Sequence, residues 1–133
     1  MGGAGKEIGG IDKLAKYIKT YIIYLMNGKA LKFVGSSLDD LRNFPEEARR
    51  AAGFELRAIQ NGFEPRDWRA MQSIGRGVKE VRIHVLGEWR IIYVAKLSDA
   101  VYVLHAFHKK GQKTNKNDIE LARRRLKQIG GSL

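Results

Sequence analysis

Hydrophobic positions recur along this chain with two different periods. Ala48, Ala52, Leu56, Ile59 and Phe63 are spaced by four, four, three and four residues, which puts them on one helical face. Pro45 is expected as the first residue of that helix, and Glu46 and Glu47 follow it where the helix dipole favours negative charge. Asn61-Gly62 closes the helix, and Arg49, Arg50, Glu55 and Arg57 between the apolar positions read as its solvated side. Ahead of it, residues 30–34 alternate around Leu31, Lys32 and Phe33 as a short strand that Gly35 ends. Ser37 then caps a short helix, with a carboxylate placed where the first backbone N–H groups need an acceptor.

After Gly75 and Gly77 the period falls to two. Val81, Ile83 and Val85 alternate with Glu80, Arg82 and His84 over 78–85, Leu86-Gly87-Glu88 makes a tight connection, and 89–96 returns as the second strand of a hairpin. Ser98-Asp99 marks another turn. Residues 101–108 (VYVLHAFH) are apolar on both faces, as a central strand would be. A basic loop over 109–116 leads to a last helix from about residue 117, capped by Asn117 or Asp118, with Ile119, Ala122, Leu126 and Ile129 on its inner side. Helices first, strands in hairpins and one closing helix predict an α+β fold. Its small sheet is antiparallel, mixed at most at one edge, with the N-terminal helices packed on one face and a C-terminal helix.

At 133 residues the chain is expected to form one domain, over 26–133. Two readings of residues 1–25 stand side by side: a native extension, and a segment upstream of a natural start at Met26. Ile11, Leu14, Ala15, Ile18 and Ile22 fit a helix there, while 21–25 fits a strand equally well. Lys13, Lys16 and Lys19 interrupt the most apolar run, which excludes both a membrane span and an uninterrupted secretory core. The expected location is the cytoplasm.

Composition narrows the chemistry. There is no cysteine, so disulfides, thiolate metal sites and cysteine nucleophiles are excluded. Twenty-five Lys and Arg against fourteen Asp and Glu leave a net charge of +11, which calls for an anionic partner, a nucleic acid or an acidic protein. The surplus is uneven: 70–133 holds thirteen basic and five acidic residues, against eight and seven in 26–69.

Arg82 and His84 are two apart on one strand and share a face, and Arg90 opens the returning strand about 5 Å away. Together they suggest a cationic pocket suited to a phosphate, with histidine able to exchange a proton near neutral pH. If the third strand lies beside this hairpin, His108, Lys109 and Lys110 join them. Charged residues that only keep a sheet face soluble account for the same pattern. His105 and His108 are an odd number apart and flanked by no carboxylate at ligand spacing, so no metal site is expected. His105, between Leu104 and Ala106, reads as a core histidine. Gly75-Arg76-Gly77 lacks the flanking strand and helix of a phosphate-binding loop and reads as a connector. Eight basic residues lie between Lys109 and Lys127, enough to bind a polyanion with strong salt dependence.

Three strings, KALKFVGSSLDDLRNFPEEARRAAG, VKEVRIHVLGEWRIIYVAK and DAVYVLHAFHKKGQKTNKNDIELARRR, carry a resemblance. From residue 27 to about 129 the chain resembles toxins of the HigB/RelE superfamily, in the branch of phage-derived HigB-like host inhibitors. VLHAFHKKGQKT followed by the helix beginning DIELA is the most specific part. The resemblance implies a RelE-like fold and a cytoplasmic toxin inhibited by a cognate antitoxin, often a helix-turn-helix DNA-binding protein. It also implies an endoribonuclease that cleaves mRNA on the ribosome, in contact with ribosomal RNA, by attack of the ribose 2′-hydroxyl on the adjacent phosphate, without metal or other cofactor.

Carried over by position, the family's catalytic residues fall on Arg82, His84, Arg90, His108, Lys109 and Lys110. Arg82 and Arg90 would hold the phosphate, His84 or His108 would be the base, and Lys109 or Lys110 the acid or charge stabiliser. Cations nearby are expected to depress the histidine pKa values and favour a neutral base. Lys79, Lys113, Lys116, Arg123 and Phe107 are the side chains expected along the RNA, although an aromatic on an apolar strand also fits the core. The pattern departs from RelE in having no tyrosine near Asn115. It departs from HigB-type members in having His108, Lys109 and Lys110 where they carry acidic, tyrosine and histidine residues. A ParE-like gyrase poison and a non-catalytic RNA-binding module are the alternatives.

Overall fold

A computed structural model describes residues 28–95 and 100–130. The expected N-terminal helix or strand, the end of the hairpin's second strand at Lys96, and the Ser98-Asp99 turn lie outside the described residues. The elements run β1 (Ala30–Phe33), α1 (Ser37–Arg42), α2 (Glu46–Gln60), β2 (Trp68–Ala70), β3 (Val78–His84), β4 (Glu88–Val94), β5 (Ala100–His108) and α3 (Lys116–Gln128). The five strands form one sheet in the order β1-β5-β4-β3-β2, antiparallel except for the β1–β5 pair at one edge. The fold is α+β, as expected.

The sheet is covered on both faces where β5 and the 91–94 end of β4 carry apolar residues on both. Ala48, Ala52, Leu56 and Ile59 of α2 pack with Leu41 and Phe44 on Val81, Ile83, Ile91, Tyr93, Val101 and Val103. On the other face Ala122 of α3 sits with Val78, Ile92, Val94, Tyr102 and Leu104, and Ile119, Leu126 and Ile129 flank it. A Cβ at Gly75 would meet the tip of the Leu126 side chain, so glycine there leaves that side chain its place beneath α3. The Gly75-Arg76-Gly77 connector thus serves packing.

Several element ends differ from the sequence reading. Ser37 is the first helical residue of α1 and is buried, its hydroxyl donating to the Val103 carbonyl at 3.1 Å; Ser36 precedes it and donates to Asp40 at 2.8 Å. Pro45 sits one residue outside α2 as its cap. Phe63 lies past the helix end and Gly62, and is 60% exposed, so the apolar stripe stops at Ile59. Glu55 is buried rather than solvated because Arg66 Nε donates to it at 2.8 Å. Asn115 caps α3, two residues earlier than expected, its side chain accepting from Asn117 N at 2.8 Å. β2 had no sequence signal: three residues are too few to show a period.

Candidate functional site

The hairpin brings three of the expected side chains, Arg82, His84 and Arg90, to one face of the sheet. Arg82 and Arg90 are direct cross-strand partners, and His84 faces Glu88 in the same ladder, so all four side chains share the sheet face that α3 covers further along. Arg90 is only 3% exposed. Its Nη2 donates to Glu88 Oε1 at 3.1 Å and its Nη1 to the Trp89 carbonyl at 3.0 Å. Arg82 is half-buried, with Nη1 3.9 Å from Asp67 Oδ1. The Nε–H groups of both arginines are buried without a hydrogen-bond partner among the described residues.

His84 is half-exposed and gripped from two sides. Its Nε2 lies 2.6 Å from Asp67 Oδ2 and its Nδ1 2.8 Å from both Glu88 oxygens. Hydrogen bonds to Asp67 first, then Glu88, push its pKa above the ordinary value. Both carboxylates are held below theirs, chiefly by the bond to His84. This corrects the expectation of a neutral imidazole: the nearest groups are carboxylates, not cations, and they favour the doubly protonated ring. Asp67 reaches the site because its carbonyl accepts the Arg82 N–H at 2.8 Å, just before β2. A pocket of about 220 Å³ opens beside Asp67, lined by Arg66, Asp67, Arg82 and His84 and, towards α2, by Ala51, Glu55, Ile83 and Val85; Arg90 lies outside its lining.

The cluster of Arg82, His84 and Arg90 is therefore charge-balanced by Asp67 and Glu88, not a bare cationic pocket. Glu80 completes the balance: fully buried on the same face, it accepts from Arg69 Nε at 3.1 Å and from the Thr114 hydroxyl at 2.7 Å, with Arg90 Nε 3.9 Å away.

His108 does not join this group. Opposite the consecutive residues Ile92 and Tyr93, β5 places His105 and Val103, so Leu104 is a bulge. The extra residue reverses the alternation beyond it. His108 pairs with Trp89 on the α1–α2 face and stacks on its ring at 4.4 Å, beside Phe44. Phe107 instead pairs with Arg90 and stacks on His105 at 4.6 Å. His105 is a buried core histidine as expected, its Nε2 2.7 Å from Asp118 Oδ1.

The lysines are dispersed. Lys109 sits beside the site, its N–H donating to the Glu88 carbonyl at 2.7 Å, and Lys110, Lys113 and Lys116 are exposed. Lys79 belongs to the other face, where it binds Glu64 at 2.8 Å and lies over the Trp68 ring. Arg123 donates to the Ser73 carbonyl at 2.6 Å. Among the described residues no cluster of three or more His, Asp or Glu is arranged to hold a metal, and no helix is long and apolar enough to cross a membrane.

Asp67, Arg69, Glu80, Glu88 and Thr114 were not singled out from the sequence. Strand alternation puts Glu80 on the Arg82 side, and the tight turn sets Glu88 near His84. Asp67, Arg69 and Thr114 carried no such signal, since their approach depends on β2 and on the loop after β5.

Residues 39–127 match the model of the phage-derived Gp49-like protein family (DUF891). The chain belongs to that family. Gp49-like proteins are toxins of toxin–antitoxin systems within the RelE/HigB superfamily, which implies an antitoxin partner for this one. No curated protein matches the chain. The match begins in α1 and ends in α3, so in this Gp49-like protein it takes in the whole β2–β5 region and every site residue described above.

Proposed function

We propose that this Gp49-like toxin is a ribosome-dependent endoribonuclease that cuts mRNA and so arrests translation. The observation that carries this reading is the cross-strand pair Arg82 and Arg90, whose buried Nε–H donors have no acceptor among the described residues. Buried donors are rarely left unmade, and a phosphodiester oxygen is an acceptor that guanidinium groups fit well. Arg82 and Arg90 hold the scissile phosphate and stabilise the charge that grows on it. The doubly protonated His84 beside them is the general acid, and Glu88, on its other nitrogen, is the base.

The ribose 2′-oxygen gives its proton to the Glu88 carboxylate and attacks phosphorus. The bond to the 5′-oxygen breaks, and that oxygen takes a proton from His84. The products are a 2′,3′-cyclic phosphate and a free 5′-hydroxyl. The exposed Lys110, Lys113 and Lys116, with Lys109, supply attraction for mRNA and ribosomal RNA. His108, across the sheet, lies outside this chemistry. The antitoxin, a helix-turn-helix protein in this reading, opposes a surplus of basic charge.

Ribosomes programmed with a defined mRNA test the reading: cleavage in the A site leaving a cyclic phosphate end supports it. Intact mRNA with stalled gyrase marks a ParE-like poison instead, and binding to RNA with neither effect marks a non-catalytic module. Growth arrest that the neighbouring gene's product relieves identifies the antitoxin.

A further inference from the structure

A carboxylate with no solvent exposure persists in a fold only when partners replace its water, and Glu80 has three. Arg69, its cross-strand partner on β2, donates Nε to it at 3.1 Å. The Thr114 hydroxyl donates at 2.7 Å, and Arg69 Nη2 reaches the same hydroxyl at 3.3 Å. Arg90 Nε lies 3.9 Å from the Glu80 oxygen that Arg69 uses. Thr114 ends the basic loop that follows β5, and Lys109 begins it with an N–H bond to the Glu88 carbonyl at 2.7 Å. Both ends of the loop carrying Lys109, Lys110 and Lys113 are thus fastened to the hairpin that carries Arg82 and Arg90, one end at Glu88 and the other at Glu80.

We propose that Glu80 is a positioning residue. Through one oxygen it orients Arg90 towards the scissile phosphate, and through Thr114 it holds the lysine loop beside the same phosphate so that the incoming strand meets loop and arginines together. An apolar residue there would leave the Arg69 Nε–H and the Thr114 hydroxyl without their acceptor and would take a carboxylate away from beside Arg90. The proposal rests on the nuclease reading above, with Glu80 acting through Arg90 and the loop rather than touching RNA.

Single-turnover cleavage of mRNA on programmed ribosomes by the full chain tests it, alongside thermal unfolding and amide exchange of the free protein. Glu80→Gln keeps the shape and removes the charge; it is expected to lower kcat by about 10- to 100-fold with KM unchanged. Thr114→Val is expected to raise KM by about tenfold and to speed exchange of the amides over 110–113, while Thr114→Ser, which keeps the hydroxyl, restores both. Should Glu80→Gln fail to fold, the Thr114 pair decides alone. Folded variants with wild-type kcat, KM and exchange overturn the proposal, as does a loss that Thr114→Ser does not rescue. Wild-type protein that leaves mRNA intact overturns the nuclease reading instead. The exchange difference between Thr114→Val and Thr114→Ser then still decides whether Glu80 holds the loop.

Discussion

Arg82 and Arg90 face one another directly across the β3–β4 ladder. Like charges in that relation repel. Carboxylates on the flanks offset the repulsion, Asp67 at 3.9 Å from Arg82 and Glu88 at 3.1 Å from Arg90. The two guanidinium groups keep their charge while the cluster around them comes close to neutral.

Arg82→Ala is expected to reduce mRNA cleavage by about 10²-fold or more, as when one donor to transition-state charge is lost. Arg90→Ala is expected to do the same and also to lower the melting temperature, because Glu80 and Glu88 each lose a cation. Cleavage of programmed ribosomes by Arg90→Ala at the wild-type rate would remove the phosphate-holding role.

Stability should depend on pH through the Asp67–His84–Glu88 trio. The raised His84 pKa stabilises the fold fully below its ordinary 6.5, and that contribution disappears as pH climbs through the higher folded value. The lowered carboxylates contribute fully above 3.8 and 4.5, and their share is lost as pH falls through their folded values. All three contributions are complete between 4.5 and 6.5. Melting curves across pH should show a decline above that window that His84→Gln flattens. The imidazole resonances should titrate above the value for a free histidine.

Leu56 and Phe63 were expected on one stripe, and the fold separates them. Leu56→Ala should cost about 2–5 kcal/mol of stability, for a side chain 2% exposed in the α2 core. Phe63→Ala, on an exposed residue, should stay within about 0.5 kcal/mol. Urea denaturation of the two variants measures the contrast.

Asp118→Ala should destabilise by about 1–3 kcal/mol, since His105 is buried, its Nδ1 has no partner among the described residues and its Nε2 bonds to Asp118 at 2.7 Å. Removing the carboxylate leaves the ring unsatisfied beneath α3. Equilibrium unfolding that matches the wild type would show that the ring finds another partner.

Alternation along a strand and spacing along a helix are local properties of the chain, so they are legible in the sequence. They placed Ala48, Ala52, Leu56 and Ile59 on one face and paired the hairpin strands. They also put Arg82 and His84 on one side of the sheet with Arg90. Helix ends were less legible: whether Ser36 or Ser37 stands at the start of α1 is decided by the Val103 carbonyl, which takes the Ser37 hydroxyl from a strand 66 residues away.

Local pattern is enough for the order of every described element except β2, for a sheet mixed at most at one edge, and for the three basic side chains of the hairpin. The tertiary structure alone decided that α3 covers the face opposite α2 and that the Leu104 bulge turns His108 to the far side. It alone decided too that Asp67, Glu80 and Glu88 neutralise the cations. Each of these depends on register or on contacts between distant segments, and a single extra residue in one strand reverses every side chain beyond it.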